Sequence, residues 1–370
     1  MKIKMQFTKK DTALVKGVAI LMMLFHHLFT TADRYAGYEI IFQPFTENFT
    51  VQLARFFKIC VGIFVFLSGY GITKSLSALN ENDPKRYIKQ IGRRTFSLMS
   101  GYWIIFILSI IAAAIINPSL LNAYKGGYKI DYAVFGIFDF LGLSELFGTP
   151  TLNGTWWYMS LALIIIAIMP LLYRLYKKYG FIPLFMLSFI VCGFVKNARS
   201  DEIVNYDMVR WLFTLDLGII FADRDWLAKI KELKIIKKNN AADYIIKLIV
   251  FTALLVGSYF LRQYSDWTVS YICDGIVPAY AVIYCYVILA EIPVLRNVLQ
   301  FFGKHSMNIF LSHTFLRAYY LKDFIYGLKY PALIFAVLTV LSLLLSILID
   351  LIKKYSGYDK LCGKVLAKIR

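Results

Sequence analysis

Long apolar runs separated by short polar or basic stretches dominate the chain. A helix that crosses a membrane needs about 20 mostly apolar residues. The runs at 13–30, 56–76, 96–116, 156–173, 181–195, 208–222, 245–261, 269–289, 306–321 and 331–349 approach that length, although several are short or interrupted. No polar stretch is long enough for a separate globular domain of about 100 residues. The pattern predicts an all-α, polytopic membrane helix bundle of about ten transmembrane helices. One membrane domain would cover 1–350, and 351–370 would form a basic tail. The basic start and the apolar run Val18 to Phe29 mimic a signal peptide. Lys16, His26 and His27 in or beside that run, and the spans that follow, favour a retained helix. Between the third and fourth spans, the semi-apolar piece Tyr132 to Leu143 reads as a packed loop near the interface.

Composition agrees with that pattern. The 370 residues are 59% hydrophobic and 17% charged, whereas a soluble domain carries about 25% charge. A net charge of +18 would suit nucleic acid if it formed a stripe. Instead, with the N-terminus inside, the excess Lys and Arg falls on the inside loops, including 74–95, 223–247 and the tail. That asymmetry orients a membrane protein with both termini cytoplasmic, and no nucleic-acid partner is expected. The five cysteines are scattered and form no CxxC pair, so no metal site or thiol redox motif is indicated.

Ionisable groups inside a span are costly and are functional candidates by default. The first span holds Lys16, His26 and His27. Eleven residues make about three turns, so Lys16 and His27 share one stripe about 16 Å apart along the axis, while His26 points about 100° away. A lysine near the inner surface can hold a phosphate, and an imidazole can accept a hydroxyl proton near neutral pH. The plainer alternative is that Lys16 snorkels to the headgroups and His27 bonds a neighbouring helix. The basic loop from Lys85 to Arg94 leads into the third span, so Arg93 and Arg94 stand where they could clamp phosphates. Ser306 and His313, seven apart, share a helix face but lie about 10 Å apart, too far for a nucleophile pair. They read as lining a polar path. Asp216 lies within the sixth span and needs a partner, for which Lys16 and Arg94 are candidates. Ser68, Gly69 and Gly71 suit close helix packing. Trp156, Trp157 and Tyr158 read as an interfacial belt.

Several segments together resemble the acyltransferase-3 family of integral-membrane acyltransferases, which act on bacterial surface glycans. Lys16 and His27 are similar to the family's first-helix signature, a basic residue, ten residues, then histidine. Phe64-Val65-Phe66-Leu67-Ser68-Gly69-Tyr70, Trp156-Trp157-Tyr158…Pro170 and Gly303-Lys304-His305-Ser306…His313 resemble later segments in order. The resemblance implies ten core helices, an acyl-CoA co-substrate without a bound cofactor, a carbohydrate acceptor, and essential roles for Lys16 and His27. The family's Arg-x-x-Arg pair before the third helix is matched at Arg94 but departs at Ser97, leaving Arg93 as a substitute. The acidic residue that often precedes the basic one is displaced, with Ala13 in its place and Asp11 two residues earlier. Some members carry a further extracytoplasmic hydrolase-like domain, for which the residues after the last span leave no room.

The expectation is therefore a plasma-membrane O-acyltransferase. It would move an acetyl or other short acyl group from cytosolic acyl-CoA to a sugar hydroxyl. The sugar would belong to a surface polysaccharide or its lipid-linked precursor. His27 and Lys16 would be catalytic, with His27 a general base or a transient acyl carrier; Arg94 and Arg93 would bind the donor, and Ser306, His313 and Asp216 would line the path. Expected partners are acyl-CoA, the glycan, membrane lipids and, alternatively, a separate extracytoplasmic acyl acceptor protein. The rivals are a flippase for a lipid-linked sugar and a non-enzymatic component of glycan assembly.

Overall fold

The computed structural model describes residues 6–79, 84–128, 130–197, 209–237, 239–264 and 267–369. Position 208 of the sixth expected span, and Lys2 and Lys4, lie outside them. The helices are α1 (Lys9–Phe29), α2 (Glu47–Phe56), α3 (Ile59–Leu76), α4 (Pro84–Ile116), α5 (Asp131–Phe140), α6 (Ser144–Phe147), α7 (Trp157–Tyr179) and α8 (Phe181–Asn197). They continue with α9 (Leu212–Asp223), α10 (Trp226–Glu232), α11 (Asn240–Tyr264), α12 (Trp267–Val287), α13 (Pro293–Thr314), α14 (Lys322–Tyr326), α15 (Pro331–Tyr355) and α16 (Tyr358–Lys368). No strand occurs among the described residues.

Each expected run coincides with a helix. Among the described residues, 7 helical stretches are long and apolar enough to cross a membrane. The expected spans that fall short are α8, α9 and α13. With 12 residues, α9 rises only about 18 Å. It is packed among α3, α8 and α12, with most of its side chains buried. Gly69 and Gly218 permit that enclosure: a Cβ at Gly218 would lie 2.5 Å from the Phe66 carbonyl oxygen. Small residues let membrane helices approach this closely.

At the centre, α1 packs along α13. The two backbones nearly touch. A Cβ at Gly17 would lie 1.9 Å from the Leu299 carbonyl oxygen, and one at Gly303 would lie 1.7 Å from that of Ala13. Lys16 and Lys304 flank this crossing. On its other side α13 is tied to α15 by polar bonds. Asn308 donates to Asp350 at 2.7 Å and accepts from Lys353 at 2.7 Å, and His305 bonds Ser346 at 3.0 Å.

The displaced acidic residue has a structural task. Asp11 accepts from the Thr8 amide at 2.8 Å and the Thr8 hydroxyl in turn accepts from the Asp11 amide, closing a capping box at the start of α1. The Tyr132 to Leu143 piece contains most of α5. Its buried Asp139 accepts from Tyr124 at 2.6 Å, Thr151 at 2.9 Å and the Leu152 amide at 2.8 Å, and the Tyr102 hydroxyl reaches it at 3.3 Å. Burial raises the Asp139 carboxyl above the ordinary range against these bonds. Trp156 is not a belt residue: it is buried, and its indole donates to the Leu311 carbonyl at 2.9 Å, fastening the start of α7 to α13. The basic tail is helical, as α16, and Tyr358 anchors it to the Ser100 carbonyl at 2.7 Å.

Candidate active site

A cavity of about 1330 Å³ runs between α1, α3, α4, α7 and α13. Its lining includes Thr8 and Lys9, where α1 begins, and Arg34, just beyond its end. The cavity therefore follows the whole of α1, a rise of about 32 Å for its 21 residues. Small-molecule pockets occupy about 300–1,000 Å³, so this one has room for more than one substrate.

Lys9, Lys16, Lys74, Arg94 and Lys304 line the half nearest the start of α1. Lys74 is paired with Asp225 at 2.5 Å. Arg94 leans on α3, donating through Nη2 to the Gly71 carbonyl at 2.7 Å and to the Ser75 hydroxyl. Its Nε is buried without a partner. Among the described residues no Asp or Glu lines the cavity. This half is a cationic throat suited to phosphates.

His27 also lines the cavity, on the same face of α1 as Lys16. Its Nδ1 is buried and has no hydrogen-bond partner. The His313 ring stands behind it, with ring centroids 5.0 Å apart. His313 is fully buried. Its Nδ1 lies 2.8 Å from the Phe310 carbonyl and 3.2 Å from that of Ile309, and its Nε2 lies 3.2 Å from the Thr314 hydroxyl. Carbonyls only accept, so Nδ1 carries the proton and Nε2 accepts from Thr314. His26 turns towards α2 and donates through Nδ1 to the Ala54 carbonyl at 2.7 Å.

The structure thus brings Lys16, His27, Arg94 and Ser306 to one cavity. The other expected residues stand elsewhere. Arg93, one residue and about 100° from Arg94 on the helix, is exposed and outside the lining, whereas Ser97 is within it. His313 does not line the path; it backs His27. Asp216 does not line it either. It is buried on α9, where the Ser188 hydroxyl donates to it at 2.6 Å, so neither Lys16 nor Arg94 is its partner. Sequence reasoning missed Lys58, Arg34 and Arg317, which line the opposite half, and Tyr158 and Thr155 between them. Arg317 carried a readable signal, since it lies four residues after His313 within an apolar run. Among the described residues no group of three His, Cys, Asp or Glu side chains is arranged to hold a metal.

The model of the acyltransferase domain shared by acyltransferase-3 proteins matches residues 13–351, nearly the whole chain and every helix lining the cavity. The chain belongs to the acyltransferase-3 family. It is a multi-pass membrane acyltransferase. No curated protein and no solved structure shows a significant match to it.

Proposed function

We propose that this acyltransferase-3 protein moves an acetyl group, or another short acyl group, from cytosolic acyl-CoA to a sugar hydroxyl. The acceptor is a surface polysaccharide or its lipid-linked precursor at the plasma membrane. The observation that carries this reading is one cavity lined along α1, with phosphate-binding cations at one end and the unpartnered His27 further in. The charge asymmetry of the sequence puts the cationic end on the cytoplasmic side, where acyl-CoA is found.

In this reading Lys16 and Arg94 hold the donor's phosphates, and the thioester arm extends along α1 towards His27. The His27 imidazole takes the proton of the acceptor hydroxyl as its oxygen attacks the thioester carbonyl. The new C–O bond forms, the C–S bond breaks, and the imidazolium returns the proton to the departing thiolate. His313, locked by two backbone carbonyls, fixes the His27 ring from behind. Ser306 lines the route between.

The test is NMR of surface glycans from cells that carry His27→Ala at normal membrane level. The reading expects O-acetyl signals to fall to the level of cells without the gene. Unchanged O-acetyl content would remove His27 from the chemistry.

A further inference from the structure

The half of the cavity farthest from the start of α1 has its own cationic cluster, which donor binding does not use. Arg34 follows α1, Lys58 precedes α3, and Arg317 sits in the π-helical turn Phe315–Tyr320 that extends α13. Such wide turns occur often at functional sites. Arg317 is only 7% exposed. It bonds the Tyr326 hydroxyl, yet its Nε is buried without a partner. Arg34 is held below its ordinary pKa by burial and then by the charge of Arg317. Two neighbouring guanidiniums on a cavity wall without a lining carboxylate form a costly arrangement that an incoming oxyanion would relieve. A guanidinium fork also matches carboxylate and phosphate oxygens in pairs.

We propose that Arg317 and Arg34 form an anion subsite in the far half of the cavity that recognises a carboxylate or phosphate borne by the acceptor glycan. The proposal rests on the acyl-transfer reading for the identity of its ligand. The subsite begins one turn beyond His313, which backs His27, so the bound anion would present a nearby hydroxyl to that imidazole. The acceptor is then an acidic or phosphate-bearing sugar, and a neutral one is excluded.

The test is equilibrium binding of labelled glucuronate, a hexose monophosphate and glucose to the purified full-length protein in detergent. The variants are Arg317→Gln, Arg34→Gln, Arg94→Gln and His27→Ala. At least one anion should bind more tightly than glucose, and which one does separates a uronic acid from a phosphate source. Either Arg317→Gln or Arg34→Gln should weaken that binding about tenfold or more, the scale of one charged hydrogen bond. Arg94→Gln and His27→Ala should leave it intact. Should Arg317→Gln fail to accumulate, Arg34→Gln decides alone. Anion binding no tighter than glucose, wild-type binding in every far-half variant that accumulates, or loss confined to Arg94→Gln would overturn the proposal. If the wild-type protein transfers no acetyl group from acetyl-CoA to any glycan, the acyl-transfer reading falls while the subsite stands on its binding data.

Discussion

His27 and His26 are adjacent in sequence, and both line the cavity; their hydrogen bonding separates them. His26 is tied to the Ala54 carbonyl of α2, while His27 has an unpartnered Nδ1. Replacement of His27 by Ala is expected to lower transfer by at least about 100-fold, the usual scale of a lost general base, with the protein still accumulating in the membrane. Lys16→Ala and Arg94→Gln should each raise KM for the acyl-CoA about tenfold and leave the acceptor KM unchanged; steady-state kinetics against each substrate separates the two. The distinction between the histidines was legible because helix phase is fixed and Lys16 supplied a reference eleven residues away. The far-half cations were not, because Arg34, Lys58 and Arg317 come from segments distant in sequence and meet only in the fold. Asp216 misled for a related reason. An intramembrane carboxyl signals function by default, and nothing in sequence shows that Ser188 on the next helix already serves it.

Two contacts between elements decide whether the cavity keeps its shape. Where α1 crosses α13, the glycines leave no room for a side chain. Gly17→Leu or Gly303→Leu must push the helices apart, at a cost of about 1–3 kcal/mol or more. A lower melting temperature in detergent, together with lost activity, is the expected result. Asp139 holds α5 to α4 and to the approach to α7. Asp139→Ala would strand the Tyr124 hydroxyl and the Leu152 amide, a loss of at least about 2 kcal/mol, readable in the same melting experiment. Helix positions were legible from hydropathy because a helix facing lipid must be apolar along its length. α9 gave a weaker signal because it is enclosed by other helices, and α13 because it carries polar residues that bond its neighbours. Their lengths and polar residues answer to neighbours, as the Ser188 bond to Asp216 and the Asn308 network show.

The proposed orientation puts both termini in the cytoplasm, and with them the excess of Lys and Arg behind the net charge of +18. Cys362, on α16, is partly exposed, while Cys60, Cys192, Cys273 and Cys285 are buried. A membrane-impermeant maleimide should therefore label the intact protein at Cys362 in inverted vesicles and not in whole cells; the opposite pattern would reverse the orientation. The most direct test of the central claim uses radiolabelled acetyl-CoA supplied to proteoliposomes that contain the protein and its glycan acceptor. The account predicts acetylated glycan from the wild type and none above background from His27→Ala. Equal labelling of the glycan by the two proteins would contradict it.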